Sequence, residues 1–438
     1  MKLHLVSLGC ARNSIDSEIM LGRLEKAGWS IEDEPDQADV IIINTCSFIE
    51  SAVNESVDTI LELAKFKKKG ACKNLIVAGC LPERFREKII ETLPEVDYFI
   101  GTGAFDEIVQ VVEKSSGILK YHLPDPANAQ FRGDKRHIRP ISSHSVYIKI
   151  AEGCNRRCTY CIIPKLRGKQ RSRTVNDIVE EASSLVASGV RELILVAQDT
   201  TSYGKDLHPQ ENIGNLLEEI TKISDEIWIR ILYGHPESID ESFIKLVGSY
   251  NNICSYFDIP IQHVSTPVLK KMGRIYSKKS LYSLFEKIRS TVADAVLRTT
   301  LIIGFPGEKE EEFIELYDFI EDIQFDHLGV FIYSDFEDLP SHRMPEHVPK
   351  EIAEKRYHRL MSRQMEISLK KNQEMIGKNV YVLVEEKIEP GVFVGRTRYQ
   401  SPDVDGIIYV HTEGLQPGSF VNVRISNALE YDLTGEAV

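Results

Sequence analysis

The sequence predicts a mixed α/β fold in three parts: an N-terminal open parallel α/β sheet domain, a partial TIM-like (β/α)6 barrel and a small C-terminal antiparallel β-barrel. Three observations support this prediction. Apolar runs of strand length alternate with amphipathic helical patterns in residues 1–117, and the same alternation restarts in residues 144–371. The last segment, residues 372–438, instead alternates in short strands that glycines separate.

In the first part, three continuous apolar runs each lead to a cysteine: Cys10, Cys46 and Cys80. Such runs are typical of parallel strands buried on both faces. Between and after them lie three helical patterns, at residues 14–27, 51–68 and 82–93. Because parallel neighbours share a carboxyl edge, where open α/β sheets bind ligands, the three thiols are predicted to meet there. Chance placement of buried cysteines and a redox relay are the alternatives.

The second part is predicted to follow a linker at residues 118–143, which contains prolines and a basic stretch at 132–139. Six candidate strands of a parallel barrel lie at residues 146–150, 193–197, 228–232, 256–260, 297–303 and 329–333. Helical patterns separate them, such as 175–188 with Thr174 as the N-cap, and 308–323. In such barrels, functional residues lie at the carboxyl ends of the strands.

The third part follows a long helical pattern at about 350–375. Its four candidate strands lie at residues 380–384, 392–396, 407–411 and 420–425.

Composition argues against several classes of protein. The formal net charge of −13 disfavours a general nucleic-acid coat and permits a basic partner. No run of about 18 apolar residues exists to span a membrane, and the first residues resemble a strand rather than a signal peptide. The eight cysteines do not indicate a disulfide scaffold, so a reducing cytoplasm is predicted. Cys72 and Cys254 are interpreted as a bystander and a small core residue.

A second group of three cysteines is Cys154, Cys158 and Cys161, spaced CxxxCxxC. A turn built on Gly153 and Asn155 can aim all three sulfurs at one point. A structural zinc site needs four closed ligands, usually from two CxxC pairs, and no second pair follows nearby. A [4Fe-4S] cluster held by three thiolates keeps one iron open. This spacing resembles the radical S-adenosylmethionine (SAM) enzymes, in which the open iron chelates SAM.

The two cysteine groups together indicate sulfur insertion. A radical source suits attack on an unactivated C–H bond, and a second cluster with an open iron has room for a sulfur species. The order of a cluster domain, a radical SAM core and a small barrel, called TRAM, resembles the methylthiotransferases over nearly the whole chain. One branch of that family modifies adenosine in transfer RNA, and the other methylthiolates an aspartate of the twelfth protein of the small ribosomal subunit.

Four stretches resemble the ribosomal-protein branch: Asn44–Glu50, Val196–Gly204, Pro260–His263 and Tyr431–Glu436. The transfer-RNA branch usually carries Gly-Gln-Asn at the second of these stretches and Gln-Ser-Gly-Ser at the third. Two stretches depart from the family. Ala11-Arg12-Asn13 stands where Pro-Lys-Asn is usual, and residues 331–339 lack the usual Glu-Gly-Thr. Whether the loop at 334–345 contacts substrate is therefore open.

The resemblance implies that each cysteine group holds one [4Fe-4S] cluster, and that SAM acts both as methyl donor and as radical source. It also implies that a 5′-deoxyadenosyl radical formed from SAM takes hydrogen from the aspartate β-carbon. The residues expected to contact SAM are Tyr160, against the adenine, and Gln198, Arg298, Gly304, Pro306 and Glu308. No side-chain general base is identified, and Asp199, His235 and His263 are expected only to lie at the barrel rim.

The expected partners are a basic small-subunit ribosomal protein or the ribosome, and an electron donor protein. No membrane and no nucleic-acid substrate are expected. Residues 372–438 contain ten acidic and five basic residues, whereas a barrel that grips RNA phosphates is expected to be basic. Solubility alone also explains an acidic surface. The alternatives are a transfer-RNA adenosine methylthiotransferase and a non-catalytic iron–sulfur protein that docks on ribosomes.

Overall fold

The computed structural model describes residues 1–114, 120–129, 136 and 144–438. The chain divides into two compact units: Met1–Arg139 with Ala151–Arg157 and Cys161–Arg173, and Pro140–Ile150 with Cys158–Tyr160 and Thr174–Val438. Most of the predicted linker at 118–143, including all of its basic stretch at 132–139 except Arg136, lies outside the described residues. The domain boundaries at 117, 143 and 371 stay predictions.

The first unit contains the predicted open parallel sheet, with strands in the order β2-β1-β3-β4-β5-β6. The strands are β1 (Lys2–Ser7), β2 (Ser30–Ile31), β3 (Val40–Thr45), β4 (Asn74–Gly79), β5 (Tyr98–Ile100) and β6 (Tyr121–His122). The helices are α1 (Ala11–Lys26), α2 (Glu50–Leu63), α3 (Phe66–Lys69), α4 (Cys80–Phe85), α5 (Glu87–Thr92) and α6 (Ile108–Lys114). Apolar side chains pack on both faces, as the continuous apolar runs predict.

Two predicted helices of this unit are each split in two. The pattern at 51–68 forms α2 and α3, and the pattern at 82–93 forms α4 and α5. Between α4 and α5, Arg86 adopts a φ of 49°. A non-glycine residue rarely occupies this left-handed region, and the apolar periodicity gives no sign of the break.

The chain next forms β7 (Ser145–Lys149) in the second unit and then returns to the first for three short elements. These are β8 (Ala151–Glu152), α7 (Ile163–Arg167) and β9 (Arg171–Ser172), with β8 and β9 antiparallel.

The second unit contains the predicted six barrel strands in two parallel sheets, ordered β11-β10-β7 and β12-β13-β14. After β7, the strands are β10 (Glu192–Val196), β11 (Trp228–Ile231), β12 (Tyr256–Asp258), β13 (Val296–Ile303) and β14 (His327–Ile332). The helices are α8 (Val175–Ala187), α9 (Ile213–Thr221), α10 (Glu241–Ser249), α11 (Thr266–Lys271), α12 (Lys278–Thr291), α13 (Glu310–Ile323) and α14 (Lys350–Gln373). Thr174 caps α8, because its hydroxyl accepts the Asp177 N–H at 3.3 Å.

The C-terminal barrel is closed and has five strands, in the order β15-β16-β17-β19-β18. They are β15 (Asn379–Glu389), β16 (Val392–Thr397), β17 (Ile408–His411), β18 (Phe420–Ala428) and β19 (Leu433–Ala437). The prediction of four strands, all antiparallel, was wrong in two respects, because β19 was missed and pairs with β17 in parallel. β19 buries only Leu433 and Gly435, so its apolar pattern is too short to detect.

Buried charges join the C-terminal barrel to the amino end of the six-stranded barrel. Glu192, the first residue of β10, accepts hydrogen bonds from Arg230 Nε at 2.7 Å and Arg396 Nη2 at 2.6 Å. Arg396 also pairs with Glu385. Burial alone would raise the pKa of Glu192, but Arg396 and Arg230 outweigh it and lower the pKa to about 2. The carboxylate therefore stays ionised between two guanidinium groups.

The connection between β16 and β17 extends this contact. Asp403 accepts the Tyr147 hydroxyl at 3.2 Å, and Asp405 lies 3.5 Å from Arg298 and 3.4 Å from His327. The C-terminal barrel is thus held by polar contacts to strands on both halves of the larger barrel. Among the helices the structure describes, none is long and apolar enough to cross a membrane.

Candidate functional site

The first cysteine group, hereafter the strand-edge trio (Cys10, Cys46 and Cys80), lies at one edge of the N-terminal sheet. Cys10 occupies the N-cap position of α1 after β1, Cys46 directly follows β3, and Cys80 directly follows β4 and begins α4. Since β1, β3 and β4 are adjacent and parallel, the three residues share the carboxyl edge. Cys46 and Cys80 are buried, and Cys10 is partly exposed.

The approach of the loops after β1 and β3 depends on a glycine. Gly9 adopts a φ of +91°, and a Cβ there would lie 2.6 Å from the Cβ of Cys46. The Asn13 side chain holds the same loops together by donating to the carbonyls of Leu8 at 3.1 Å and Thr45 at 3.0 Å. No other residue type fits position 9 without moving Cys46.

Burial is the largest influence on the pKa of each thiol in this trio. It raises the pKa of Cys46, and it raises that of Cys80 to about 12 against the opposing charge of Arg167. For Cys10, Arg12 and further hydrogen-bond donors outweigh burial and lower the pKa. Because the thiolate is the species that binds metal, the two guanidinium groups favour the ligating form.

Arg167, at the end of α7, places its buried guanidinium beside this trio. One end donates to Asn13 Oδ1 at 2.7 Å and lies 3.6 Å from Cys80 Sγ. The other end donates to Asp16 Oδ2 at 2.5 Å and to Glu152 Oε2 at 3.3 Å. Both nitrogens of the fork therefore have fixed partners.

The second group, hereafter the loop trio (Cys154, Cys158 and Cys161), lies in the segment after β8. Cys154 donates its backbone N–H to the Gly168 carbonyl at 3.1 Å, and its sulfur accepts the Arg156 N–H at 3.4 Å. Cys154 and Cys161 belong to the first unit and Cys158 to the second. The convergence of the three sulfurs stays a prediction.

The donor chemistry of the strand-edge trio fits an iron–sulfur cluster. Within the described part of the chain, no three Cys, His, Asp or Glu side chains surround one point as ligands of a single ion. A cube of four irons spaces its thiolates more widely than one ion does. Three thiols on one sheet edge, with guanidinium groups beside two of them, match the ligands that such a cluster takes.

In the second unit, Tyr160 is fixed by an arginine. Its hydroxyl accepts hydrogen bonds from Arg274 Nε at 3.1 Å and Nη2 at 2.6 Å. Arg274 also contacts Nε2 of His235. The Tyr160 ring packs edge-on against Phe305, with 6.3 Å between centroids. The predicted adenine contact therefore belongs to a ring whose orientation is set from two sides.

The predicted SAM-binding turn at Gly304–Glu308 directly follows β13. Gly304 adopts a φ of +72° and donates its N–H to Glu308 Oε2 at 3.0 Å. Glu308 Oε1 accepts Arg356 Nη1 at 2.6 Å, and Pro306 is buried within the turn. The Glu308 carboxylate thus closes the turn, so a role for it in holding SAM would act through the backbone.

The remaining predicted residues differ in position. Gln198 lies two residues beyond β10, at the carboxyl end of the barrel. Arg298 lies near the amino end of β13, where it pairs with Asp258 at 3.0 Å and Asp405 at 3.5 Å. A contact with SAM at the carboxyl end of the barrel would require Arg298 to leave these carboxylates, which hold its guanidinium near the amino end of the strand.

Two of the rim residues without an assigned role have local partners. Asp199 accepts the hydroxyls of Thr201 at 3.1 Å and Ser202 at 2.8 Å. His263 is fully buried and accepts the Ser265 N–H at Nδ1.

Comparison with known proteins gives three family matches along the chain. The uncharacterized protein family UPF0004 matches residues 2–101, the radical SAM superfamily matches residues 148–320, and the TRAM domain matches residues 376–438. Curated relatives named ribosomal protein uS12 methylthiotransferase RimO match over the full length. The relative from Desulfosudis oleivorans is 51% identical with all of both chains covered, and that from Clostridioides difficile is 46% identical with 100% and 99% covered.

The chain belongs to the uS12 methylthiotransferase family. The family predicted from the cysteine spacings and the four short stretches is therefore confirmed. The predicted radical SAM methylthiotransferase activity and the predicted α/β fold with a TRAM barrel are confirmed as well.

Solved structures show the same fold at low identity. A radical SAM methyltransferase, TsrM, from Kitasatospora setae, with cobalamin and a [4Fe-4S] cluster bound, has a TM-score of 0.58 at 16% identity, covering 78% of this chain and 76% of that one. The cobalamin-dependent SAM radical enzyme OxsB has a TM-score of 0.52 at 12% identity, covering 84% and 57%.

Sequence reasoning missed two arginines of the site. Arg274 is 114 residues from Tyr160, and Arg167 is 154 residues from Asn13. Neither lies in a cysteine motif, and no periodic pattern indicates a contact at such separation. The one local sign was that Arg167 follows the loop trio closely.

Proposed function

We propose that this protein methylthiolates the β-carbon of an aspartate in ribosomal protein uS12, with two [4Fe-4S] clusters and SAM. The observation that carries the proposal is the full-length likeness to relatives named for that activity, at 51% and 46% identity. The acidic C-terminal segment adds support, because it suits a basic protein partner better than transfer RNA. The reaction is proposed to occur in the cytoplasm, with an electron donor protein.

Each of the two cysteine trios is proposed to hold one cluster. When bound, these clusters supply the reductive cleavage of SAM and an open iron for a sulfur species. The chain's own contribution is to hold the thiols in place. Gly9 and Asn13 fix the loops of the strand-edge trio, and Arg12 favours the thiolate of Cys10.

The carboxyl end of the barrel is proposed to orient SAM. Arg274 fixes the Tyr160 hydroxyl, so the ring presents a constant face to the adenine. The Gly304–Glu308 turn is held shut by the Glu308 carboxylate, which leaves its backbone fixed before SAM arrives. Removing a hydrogen atom from the aspartate β-carbon needs no general base. Asp199 and His263 each have local hydrogen-bond partners, which agrees with a step in which neither acts as a base.

The test is an anaerobic assay of the reconstituted full chain with SAM, a reductant and purified uS12. The proposal expects 5′-deoxyadenosine, and a uS12 aspartate in which one hydrogen is replaced by a methylthio group, measured as a mass shift. If transfer RNA rather than uS12 is modified, the substrate assignment is wrong. If no 5′-deoxyadenosine forms, the protein instead fits the non-catalytic docking alternative.

A second test counts irons. Replacing Cys154, Cys158 and Cys161 by Ala is expected to leave about four irons per chain, held by the strand-edge trio, and to abolish 5′-deoxyadenosine. Complete loss of iron would show that the strand-edge trio is not an independent site.

A further inference from the structure

The Arg167 guanidinium is a buried cation that no cysteine motif predicts. Its side chain is 4% exposed, and it lies over the Phe105 ring at 5.8 Å from the centroid. Burying a cation is costly unless hydrogen bonds and opposite charges compensate. Asp16 and Glu152 provide two carboxylates, at 2.5 and 3.3 Å. That pairing explains why the charge is tolerated there, but not why the other end of the fork faces Cys80.

The end of the fork toward Cys80 is oriented by Asn13. Arg167 Nη2 donates to Asn13 Oδ1 at 2.7 Å and lies 3.6 Å from Cys80 Sγ. Asn13 is itself held, because its amide donates to the carbonyls of Leu8 and Thr45. The N–H group beside the sulfur therefore cannot rotate away without breaking its bond to an amide that two other segments hold in place.

We infer that Arg167 is a positioning residue that holds the Cys80 thiolate and sets the reduction potential of the cluster at the strand-edge trio. This inference rests on the proposed function, since it requires that trio to bind a cluster. Hydrogen bonds to ligating sulfurs and net charge are two of the properties that set such potentials. Reduction adds negative charge, so a cation beside a ligating sulfur stabilises the reduced form and makes the potential less negative.

The same guanidinium also connects the two cysteine-bearing segments. Glu152 lies two residues before Cys154, and its carboxylate accepts Arg167 Nη1. A change at Glu152 therefore alters the charge that Cys80 experiences without touching Cys80. Neutralising Glu152 leaves Arg167 less compensated, which shifts the potential in the direction opposite to neutralising Arg167.

The experiment measures the potential of one cluster alone, in the full chain with Cys154, Cys158 and Cys161 replaced by Ala. In this background Arg167→Gln is expected to retain the iron and to shift the midpoint potential to more negative values. Electron paramagnetic resonance during a redox titration measures that potential. Arg167→Lys, which keeps the charge but loses the fork, is expected to lie between Arg167→Gln and the parent. Glu152→Gln is expected to shift the potential to less negative values.

The outcomes separate the inference from the proposed function. If the parent with three alanines binds no iron, the proposed cluster at the strand-edge trio is wrong. The inference on Arg167 is then overturned as well, because it requires that cluster. If the parent and Arg167→Gln both hold about four irons at the same potential, only the inference on Arg167 is overturned. If Arg167→Gln cannot hold a cluster, Glu152→Gln decides: an unchanged potential in that variant overturns the inference, and a less negative one supports it.

Discussion

The carboxyl ends of the parallel strands and the amino end of the larger barrel use charged side chains in different ways. At the carboxyl ends, Arg167 lies beside a thiol and Arg274 donates to a tyrosine hydroxyl. At the amino end, Arg230 and Arg396 are neutralised by Glu192. We expect the pairs of Glu192 with Arg230 and Arg396 to serve stability. Arg167 also pairs with carboxylates, but one of its N–H groups faces a thiol, and we expect Arg167 and Arg274 to orient groups of the proposed site. The difference indicates which changes should unfold the protein and which should only inactivate it.

Removing the amino-end carboxylate is expected to have the largest effect. Glu192→Ala leaves Arg230 and Arg396 buried without their shared partner, which costs about 3–5 kcal/mol of unfolding free energy. The urea midpoint of the second unit measures the loss. A midpoint within error of the parent would show that the charges at this end do not stabilise the barrel.

The pH dependence of stability sharpens the same comparison. The folded pKa of Glu192 is about 2, below its ordinary value of 4.5, so its contribution is fully present above pH 4.5 and is lost as the pH falls toward 2. The shift corresponds to about 3 kcal/mol in total. Glu192→Gln is expected to remove this part of the acid dependence, measured as the urea midpoint at successive pH values. An unchanged slope between pH 4.5 and 2 would contradict the assignment.

At the carboxyl end, Arg274→Gln is expected to reduce activity more than stability. It removes hydrogen bonds from a charged donor to the Tyr160 hydroxyl, worth about 1.5–3 kcal/mol, or about 10–100-fold in the rate of 5′-deoxyadenosine formation. Lys270→Gln removes an exposed cation on α11 and is the matched control, with a rate near the parent's. Equal rates for the two variants would show that Arg274 does not contribute to the formation of 5′-deoxyadenosine.

A glycine pair gives the smallest and cleanest contrast. Gly9 and Gly28 have nearly the same φ, +91° and +90°, but a Cβ at Gly28 meets nothing within 4 Å. Alanine at either position costs about 1–2 kcal/mol for the backbone conformation. Only Gly9→Ala adds the collision with Cys46, about 1–3 kcal/mol more, together with loss of iron from the strand-edge trio. Equal iron content in Gly9→Ala and Gly28→Ala would show that the trio tolerates displacement of Cys46.

The sequence was sufficient for what local patterns determine. Strands β1, β3 and β4, and the cysteines after them, follow from continuous apolar runs and the geometry of parallel sheets. The splitting of the 82–93 helix at Arg86 could not be predicted, because it depends on one left-handed residue. Strand β19 has too few buried residues for a pattern. Arg167 and Arg274 contact residues more than a hundred positions away. The pairing of Arg298 with Asp258 and Asp405 could not be predicted, because periodicity does not say at which level of a strand a charged side chain finds its partner.

The pair between Glu192 and Arg396 joins residues 204 positions apart. During translation, the carboxylate on β10 emerges long before β16 exists. Its partners until then are Arg230 and Ser145, and the full compensation of its desolvation waits for Arg396. We therefore expect strands β7 and β10–β14 to assemble first with a hydrated amino end, and the C-terminal barrel to expel that water when it docks. The C-terminal barrel would then complete the interior of the larger barrel, which is synthesised before it.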